Sequence, residues 1–517
     1  MPENLSTPAS SVDIVIAGAG PNGLWLAIEL ALAGVRPIVL DPLPGPNPEP
    51  KANGMVGQVI RLLDMRGLYH ELGGAPGPPR PIPAFLFSGI PLPLDALPEN
   101  PMYALGLPQP ELLRRLDIHV RKLGIDVRWE HELTDFTRTD DGVRVNVRGP
   151  AESYDIDTTY LVGADGGRSF VRKRLGIDFP GVTLPTVSRL AHIALPDGIR
   201  SDDGGIDIPG AGHLSFGHNR FDRGAVTFGE LEPGRPLLST MEFDTDPAPD
   251  DVPMTLDELR ASLHRVLGVD VPFEAPHGPG PHALRRVGKQ NTRQAERYRD
   301  GNVFLLGDAA HVHSAMGGPG LNLGLQDAAN LGWKLAAQVN GWAPEGLLDT
   351  YQSERYPAGE RVMMQSLSQS ALMAPGPELG ALRTLFTELL RDTSAVERIA
   401  GVMSGADVRY DIGNDHPLAG HLFPDRTLDT GVRVTELLRP ARGVLLDPTP
   451  DHRYGATAAA WHDRVDTVHA AHADTTARTE AMLIRPDGYV AWAADTGQED
   501  SRLRAALGRW FGAPRKA

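Results

Sequence analysis

The sequence predicts an α/β fold: a parallel sheet interrupted by an antiparallel insert and followed by a smaller α/β unit. Three observations predict it. Short apolar runs at Val12 to Ala17, Tyr160 to Ala164 and Val303 to Leu306 each stop abruptly at a glycine or an aspartate, as buried parallel strands do. Between residues 183 and 283 the pattern changes to period two, the signature of half-buried antiparallel strands. Beyond residue 401 strand-like runs return in a different order, ending in a helical pattern.

The first run leads into Gly18-Ala-Gly20-Pro-Asn22-Gly23, then a helical stretch from Leu24 to Ala33, a second strand from Arg36 to Leu40, and Asp41. Strand, glycine turn, helix and a terminal acid about 20 residues on form the Rossmann-type dinucleotide fingerprint in its required context. The glycines allow a tight turn and close approach of a pyrophosphate, and the acid reaches ribose hydroxyls. The proline-rich loop from Pro42 to Pro50 leads to Lys51, which could touch a cofactor phosphate or be a solvated loop charge. A short amphipathic helix ends at Gly67. Gln109 precedes a helix from Glu111 to Lys122, and its side chain either caps that helix or reaches a ligand. Val127 to Trp129, Leu133 to Arg138 and Val143 to Arg148 read as a meander, with Asp140-Asp-Gly142 as a hairpin turn.

Asp165, with Gly166-Gly167 and Arg168, ends the next strand, and Gly307-Asp308 ends the one after. Taken alone, Asp165 and Arg168 are a turn and a surface ion pair. With the fingerprint, they suggest three loops converging on one long ligand at the carboxyl edge of a sheet. After Asp308 come Gly317, Gly318 and Gly320, then a helix beginning near Leu321. A glycine-rich helix start offers uncovered N–H donors and the positive end of a dipole, suited to a ring that gains negative charge.

Composition bounds the function. The 517 residues hold no cysteine, which excludes disulfides, thiolate metal sites and cysteine nucleophiles. The formal charge of -16 argues against nucleic acid or an anionic membrane as partner. With no leader-like start and no long apolar run, a cytoplasmic, soluble protein is expected. His311-x-His313 has metal-like spacing without a third ligand type nearby, so no metal is expected.

The motifs jointly resemble the class A flavoprotein monooxygenases of the para-hydroxybenzoate hydroxylase type, most nearly the bacterial aromatic polyketide hydroxylases of antibiotic biosynthesis. The resemblance rests on Gly18-x-Gly20-x-x-Gly23, Leu62-Leu-Asp-Met-Arg-Gly67, Asp165-Gly166 with Val171-Arg172-Lys173 and Phe179-Pro-Gly181, Arg293-Gln-Ala-Glu-Arg-Tyr298, Gly307-Asp308, and Gly320-Leu-Asn322 through Trp333-Lys334. It implies non-covalent FAD: ribose on Asp41, pyrophosphate along Gly18, Gly20, Asn22 and Gly23, ribityl chain on Asp308, and the flavin pyrimidine edge against Gly318, Gly320, Leu321 and Asn322. Lys51 and Gln109 match positions that contact FAD in the family, and Asp165 would serve both cofactor binding and reduction.

The same resemblance implies an FAD domain over residues 1–182 and 284–400, an antiparallel substrate domain over 183–283 that roofs the flavin, and a thioredoxin-like domain over 401–517. Lacking cysteine, that last unit would serve packing or dimer formation rather than redox chemistry. Implied too are NADPH or NADH as transient reductant, dioxygen, a flavin C4a-hydroperoxide, and hydroxylation of a polycyclic aromatic polyketide. Baeyer-Villiger oxidation, epoxidation, a non-oxygenating rearrangement and, outside the family, a nicotinamide dehydrogenase are the alternatives. No catalytic residue is assigned. His192, His213 and His218 lie in the insert and could orient a phenol, but such histidines are ordinarily surface or packing residues. The chain departs from the family at Ser314-Ala315, where proline is usual, at Pro319, where glutamine is common, and at Gln58, where arginine is usual. Ser314 and Ala315 are expected to relax the loop and to add a hydroxyl beside the flavin.

Overall fold

A computed structural model describes residues 11–515, apart from 50, 231–233, 244, 247, 250, 315, 317, 474–479 and 496–500. Its central sheet runs in the order Arg299–Asp300, Val303–Leu305, Ser153–Gly163, Ser11–Ala17, Ile38–Asp41, Asp126–Trp129. Apart from the Arg299–Asp300 edge, those neighbours pair parallel. Register is what matters for function. Leu40 pairs with Ala17, Ala17 with Gly163, and Gly163 with Leu305, so four strands end in one row. The turns that follow must therefore share one edge of the sheet.

The segment Val127 to Trp129 corrects the expected meander. It belongs to strand Asp126–Trp129, which pairs parallel with Ile38–Asp41 at the sheet edge; only Glu132–Arg138 and Val143–Arg148 form the hairpin. A short antiparallel read cannot be told from an edge strand by alternation alone.

The second sheet is antiparallel, ordered Gly217–Phe221, Gly224–Gly229, Leu237–Phe243, Gly181–His192, Leu284–Gln294, His311–Val312. Strand Leu237–Phe243 alternates between half-buried Leu237, Ser239, Met241 and Phe243 and buried Leu238, Thr240 and Glu242, so the sheet has two distinct faces. One face packs Val226, Phe228 and Leu238 with Leu259, Leu263 and Val266 of helix Leu256–Leu267, an element the sequence reading did not include. Within the insert, Gly212–Leu214 pairs with Ile206–Ile208, and a new strand starts at Gly217. His311–Val312 pairs with Arg293 and Gln294, so the chain leaves the first sheet at Gly307 and joins the second within four residues.

Helix Pro319–Val339 starts two residues before Leu321, with Pro319 at its first turn. Helix Asp349–Met373 carries Pro357 inside it. Helices Pro377–Leu389 and Thr393–Ser404 follow, the second starting where Asp392 accepts the Ser394 N–H.

The C-terminal unit is a four-stranded mixed sheet, ordered Val465–Val468, Gly443–Leu446, Glu480–Ile484, Val490–Asp495, with helix Ser501–Phe511. It is not loosely appended. Phe423, Leu428, Val434 and Val444 share one buried cluster with Ile14, Leu26 and Leu331. Buried polar groups tie the units further: Arg485 donates to Glu354 at 2.6 and 2.9 Å, Lys334 donates to Glu354 at 2.7 Å, and Arg66 donates to Glu29, to Leu438 O and to Pro486 O. Among the described residues no helix is long and apolar enough to cross a membrane.

Candidate active site

The site is built where the strand ends meet. Gly18 and Gly23 are required by the chain itself: an added Cβ would lie 2.3 Å from Ala164 O at Gly18 and 2.0 Å from Gly18 O at Gly23. Gly20 differs, since a Cβ there would meet nothing within 4 Å and its backbone is extended. Its missing side chain leaves open space at the start of helix Pro21–Leu32, which has no side-chain cap.

Asp41 lies under this turn, with Oδ2 accepting the Ala19 N–H at 2.8 Å and Oδ1 the Leu43 N–H at 2.9 Å. Burial pushes its carboxyl up, against the pull of those two donors. Asp165 accepts the Val171 N–H through Oδ2 at 3.0 Å, while its buried Oδ1 has no partner. The buried Asn22 Oδ1 also lacks one. Asp308 stands exposed between buried Gly307 and Ala309. Buried polar atoms without partners are uncommon, and here they line the same sheet edge as the open glycine turn.

The second helix start is equally open. Gly318 adopts a left-handed conformation with φ +63°, no side chain caps helix Pro319–Val339, and a Cβ at Gly318 would meet nothing within 4 Å. Gly320 packs on the His313 ring, 2.7 Å from its Cε1 to the position of an added Cβ. The Asn322 side chain is spent on the protein: Oδ1 accepts the Val56 N–H at 3.1 Å and Nδ2 donates to Gly318 O at 2.9 Å. Gly318, Gly320, Leu321 and Asn322 therefore offer backbone to a ligand.

Lys51 is exposed and pairs with Glu49 at 3.5 Å. Gln109 does not cap its helix; it is the first helical residue of Gln109–Lys122, and its N–H donates to Ala52 O at 2.8 Å, which sets it beside the Lys51 loop. Its side chain makes no hydrogen bond to any described residue.

Ser314 corrects another expectation. It is 2% exposed, its Oγ lies 3.3 Å from Ser370 Oγ and accepts the Met316 N–H at 3.3 Å, so the hydroxyl faces helix Asp349–Met373 and tethers the loop. Ala315 and Gly317 lie outside the described residues. Gln58 fills its position by donating to Pro101 O and accepting from Arg61.

Beneath the loop lies a buried triad the sequence reading missed. Asp327 accepts from His311 Nε2 at 2.6 Å and from Arg355 Nε at 2.6 Å, and Arg355 also donates to the Tyr410 hydroxyl at 3.0 Å. Burial would raise the Asp327 carboxyl, but Arg355 and His311 outweigh it and hold it below the usual range. No local pattern marks residues 16 and 28 apart as partners. His313 Nδ1 is engaged by Ser314 O at 3.1 Å, and among the described residues no three side chains are grouped to hold a metal.

A long ligand with a pyrophosphate, hydroxyls and an electron-accepting ring fits these features, since two open helix starts, unpaired Asn22 and Asp165 oxygens and an exposed Asp308 share one edge. Comparison with known proteins agrees. Residues 11–366 match the family described as FAD binding domain, and residues 416–514 match the aromatic-ring hydroxylase C-terminal family. The chain is 40% identical over 513 residues to the 12-dehydrotetracycline 5-monooxygenase/anhydrotetracycline 6-monooxygenase of Streptomyces rimosus, covering 97% of this chain and 99% of that one. It is 36% identical over 507 residues to the dialkyldecalin synthase of Streptomyces rugosporus, covering 96% and 98%. The solved anhydrotetracycline hydroxylase of Streptomyces rimosus superposes with a TM-score of 0.86 at 38% identity, over 98% of this chain and all of that one.

Proposed function

Because the chain belongs to the FAD-binding family of aromatic-ring hydroxylases, and is thus an FAD-dependent aromatic monooxygenase, we propose that it hydroxylates a polycyclic aromatic polyketide with NADPH or NADH as reductant. The observation that carries this reading is the row Leu40, Ala17, Gly163 and Leu305, which gathers Asp41, Asp165 and Asp308 at one sheet edge. Asp41 would take the ribose hydroxyls, the Gly20 turn and the N–H groups of the first helix the pyrophosphate, and Asp308 the ribityl chain. Backbone at Gly318, Gly320 and Leu321 would meet the pyrimidine edge, and Gln109 and Lys51 would approach from the neighbouring loop. When bound, FAD supplies the activation of dioxygen, one oxygen atom passing to the ring and the other to water. The chain's own part is to orient the ring, exclude water under the second sheet, and hold donors at the helix start toward developing negative charge.

Residues 1–182 with 284–400 would form the FAD domain, 183–283 the substrate roof, and 401–517 a thioredoxin-like unit that packs or dimerises without redox chemistry. Its small-molecule partners would be dioxygen and an aromatic polyketide, beside the flavin and the nicotinamide.

A second reading is favoured by one relative: the dialkyldecalin synthase is named for a product rather than an oxygenation. Baeyer-Villiger oxidation and epoxidation share the same site requirements. Aerobic turnover of anhydrotetracycline and related phenolic polycycles with NADPH under labelled dioxygen, read by mass spectrometry, tests the choice. One labelled oxygen on a ring carbon supports hydroxylation. Label in a lactone or epoxide, or turnover without label or NADPH oxidation, sinks it in favour of the corresponding alternative.

A further inference from the structure

The inner face of the roof sheet can be read in rows, because directly paired residues of an antiparallel ladder project to the same side. Arg220, Ala225, Met241 and Ser188 form one row. Ala225 packs in a cluster with Met316 and Met373, so this side faces the loop that leads into helix Pro319–Val339. The next row lies two residues along each strand, roughly 7 Å away. It consists of His218, Thr227, Ser239 and Leu190. That is where a flat substrate under the roof would lie.

The insert histidines singled out in the sequence differ in what their rings do. His192 Nδ1 accepts the Ala283 N–H at 2.9 Å. His213 is exposed between Asp203 and Asp207, each at 2.9 Å. His218 has Nδ1 2.7 Å from Thr227 Oγ1, whereas its Nε2 has no partner among the described residues and is not sealed from access. Burial lowers its pKa, which keeps the ring neutral. Among the described residues, two arginines lie near its strand. Arg220, on the same strand and face, donates to Ala374 O and Gly376 O. Arg383 donates to Ser88 O and Leu372 O, beside the Gly89 turn that abuts His218 O. Strands Gly224–Gly229 and Leu237–Phe243 place uncharged Thr227 and Ser239 in its row, and Thr227 is its neighbour.

We propose that His218 is the substrate-side proton acceptor: Nε2 takes the proton of a phenol on the aromatic substrate, and Thr227 holds the Nδ1–H, fixing the tautomer that leaves Nε2 a lone pair. The phenol O–H bond breaks, its electron pair stays on oxygen, and the proton forms the Nε2–H bond of an imidazolium. The resulting phenolate is the electron-rich ring that an oxygenation needs. This rests on the aromatic-monooxygenase reading and names the group that would activate its substrate.

The test uses the flavin-loaded, oxidised enzyme with 2-hydroxyanthraquinone, whose phenolate absorbs at longer wavelength than its phenol, and no nicotinamide. In the wild type the bound probe should ionise about one pH unit below the free probe, the scale expected of a neighbouring acceptor. His218→Gln should return ionisation to the free value at unchanged flavin content, and Thr227→Val, which leaves the imidazole in place, should fall between. Equal ionisation of the bound probe in the wild type and both variants overturns the role of His218 while leaving the aromatic reading intact. A wild type whose flavin and probe spectra ignore one another overturns both.

Discussion

The side-chain amide of Asn22 occupies the place where a Cβ of Gly307 would stand, with Nδ2 2.1 Å from that position. The same Nδ2 lies 2.2 Å from the corresponding position at Gly324. One amide thus clasps the first glycine turn, the Gly307-Asp308 turn and helix Pro319–Val339, and two glycines exist to admit it. Two of the three loops and the second helix of the site are thus held together by packing before any cofactor arrives.

Gly307→Ala should therefore destabilise the fold, since it combines a left-handed φ of +58° with a buried clash. Left-handed strain alone costs about 1–2 kcal/mol. Thermal unfolding should place the single variant below the wild type, and Asn22→Ala in the same chain should recover part of the loss as a positive coupling in a double-mutant cycle. Strict additivity would mean that the clasp does not exist.

Gly18 and Gly20 should separate folding from cofactor binding. At Gly18 an added side chain runs into Ala164 O, so Gly18→Val should yield little folded protein. At Gly20 the space is open and the backbone conformation is one any residue adopts, so Gly20→Val should fold yet lose FAD. Flavin absorbance per protein, measured beside circular dichroism, distinguishes these outcomes. A folded, fully yellow Gly20→Val protein would remove the pyrophosphate from this turn.

Glu354 sets an acid limit on stability. Burial would raise its carboxyl, but Arg485 and Lys334 hold it at about 2. Lys334 itself is pushed down to about 8, because it is buried and shares that one carboxylate with a second cation. A carboxyl lowered on folding contributes stability that is complete above its unfolded value of 4.5 and is lost as pH falls from there toward about 2. Glu354→Gln should flatten that limb of a stability-pH curve and lower stability at neutral pH. Arg485→Ala should cost about 3–5 kcal/mol by leaving buried charge uncompensated. It should also release flavin, because Arg485 stacks over Trp333 of helix Pro319–Val339, 5.3 Å from its ring centre. Unchanged flavin content in the Arg485→Ala protein would mean that the C-terminal unit does not support the site.

The sheet edge was legible because each element of it is local: an apolar run, then glycine or aspartate, repeated four times. Asp41, Asp165 and Asp308 could be named from that alone, and strand register then brought their turns together. What was not legible depends on contacts between distant segments. The His311, Asp327 and Arg355 triad has no sequence spacing that announces it. The Ser314 hydroxyl could not be known to face Ser370, nor Gln109 to sit inside its helix rather than before it. The tail read as separate because its strand pattern is self-contained, whereas Arg485 and Phe423 show that its buried face is shared.

The last prediction concerns Ser314, where the family resemblance leads one to expect proline. Its hydroxyl accepts the Met316 N–H and meets Ser370 Oγ, and its carbonyl accepts from Ser366 Oγ at 3.3 Å, so the loop is anchored to helix Asp349–Met373 by side-chain bonds in place of ring rigidity. Such bonds are individually worth about 0.5–1.5 kcal/mol. Ser314→Ala removes the hydroxyl's part of the anchor and should raise the hydrogen peroxide released per NADPH oxidised by about two- to tenfold, while FAD affinity changes less. Ser314→Pro exchanges one constraint for another and should bring the ratio back toward the wild type, since the Ser314 N–H makes no hydrogen bond to a described residue. Oxygen-electrode and peroxide assays on the three proteins, with flavin content matched, decide the matter. Equal ratios in all three would make Ser314 a neutral replacement and leave control of the loop to its backbone.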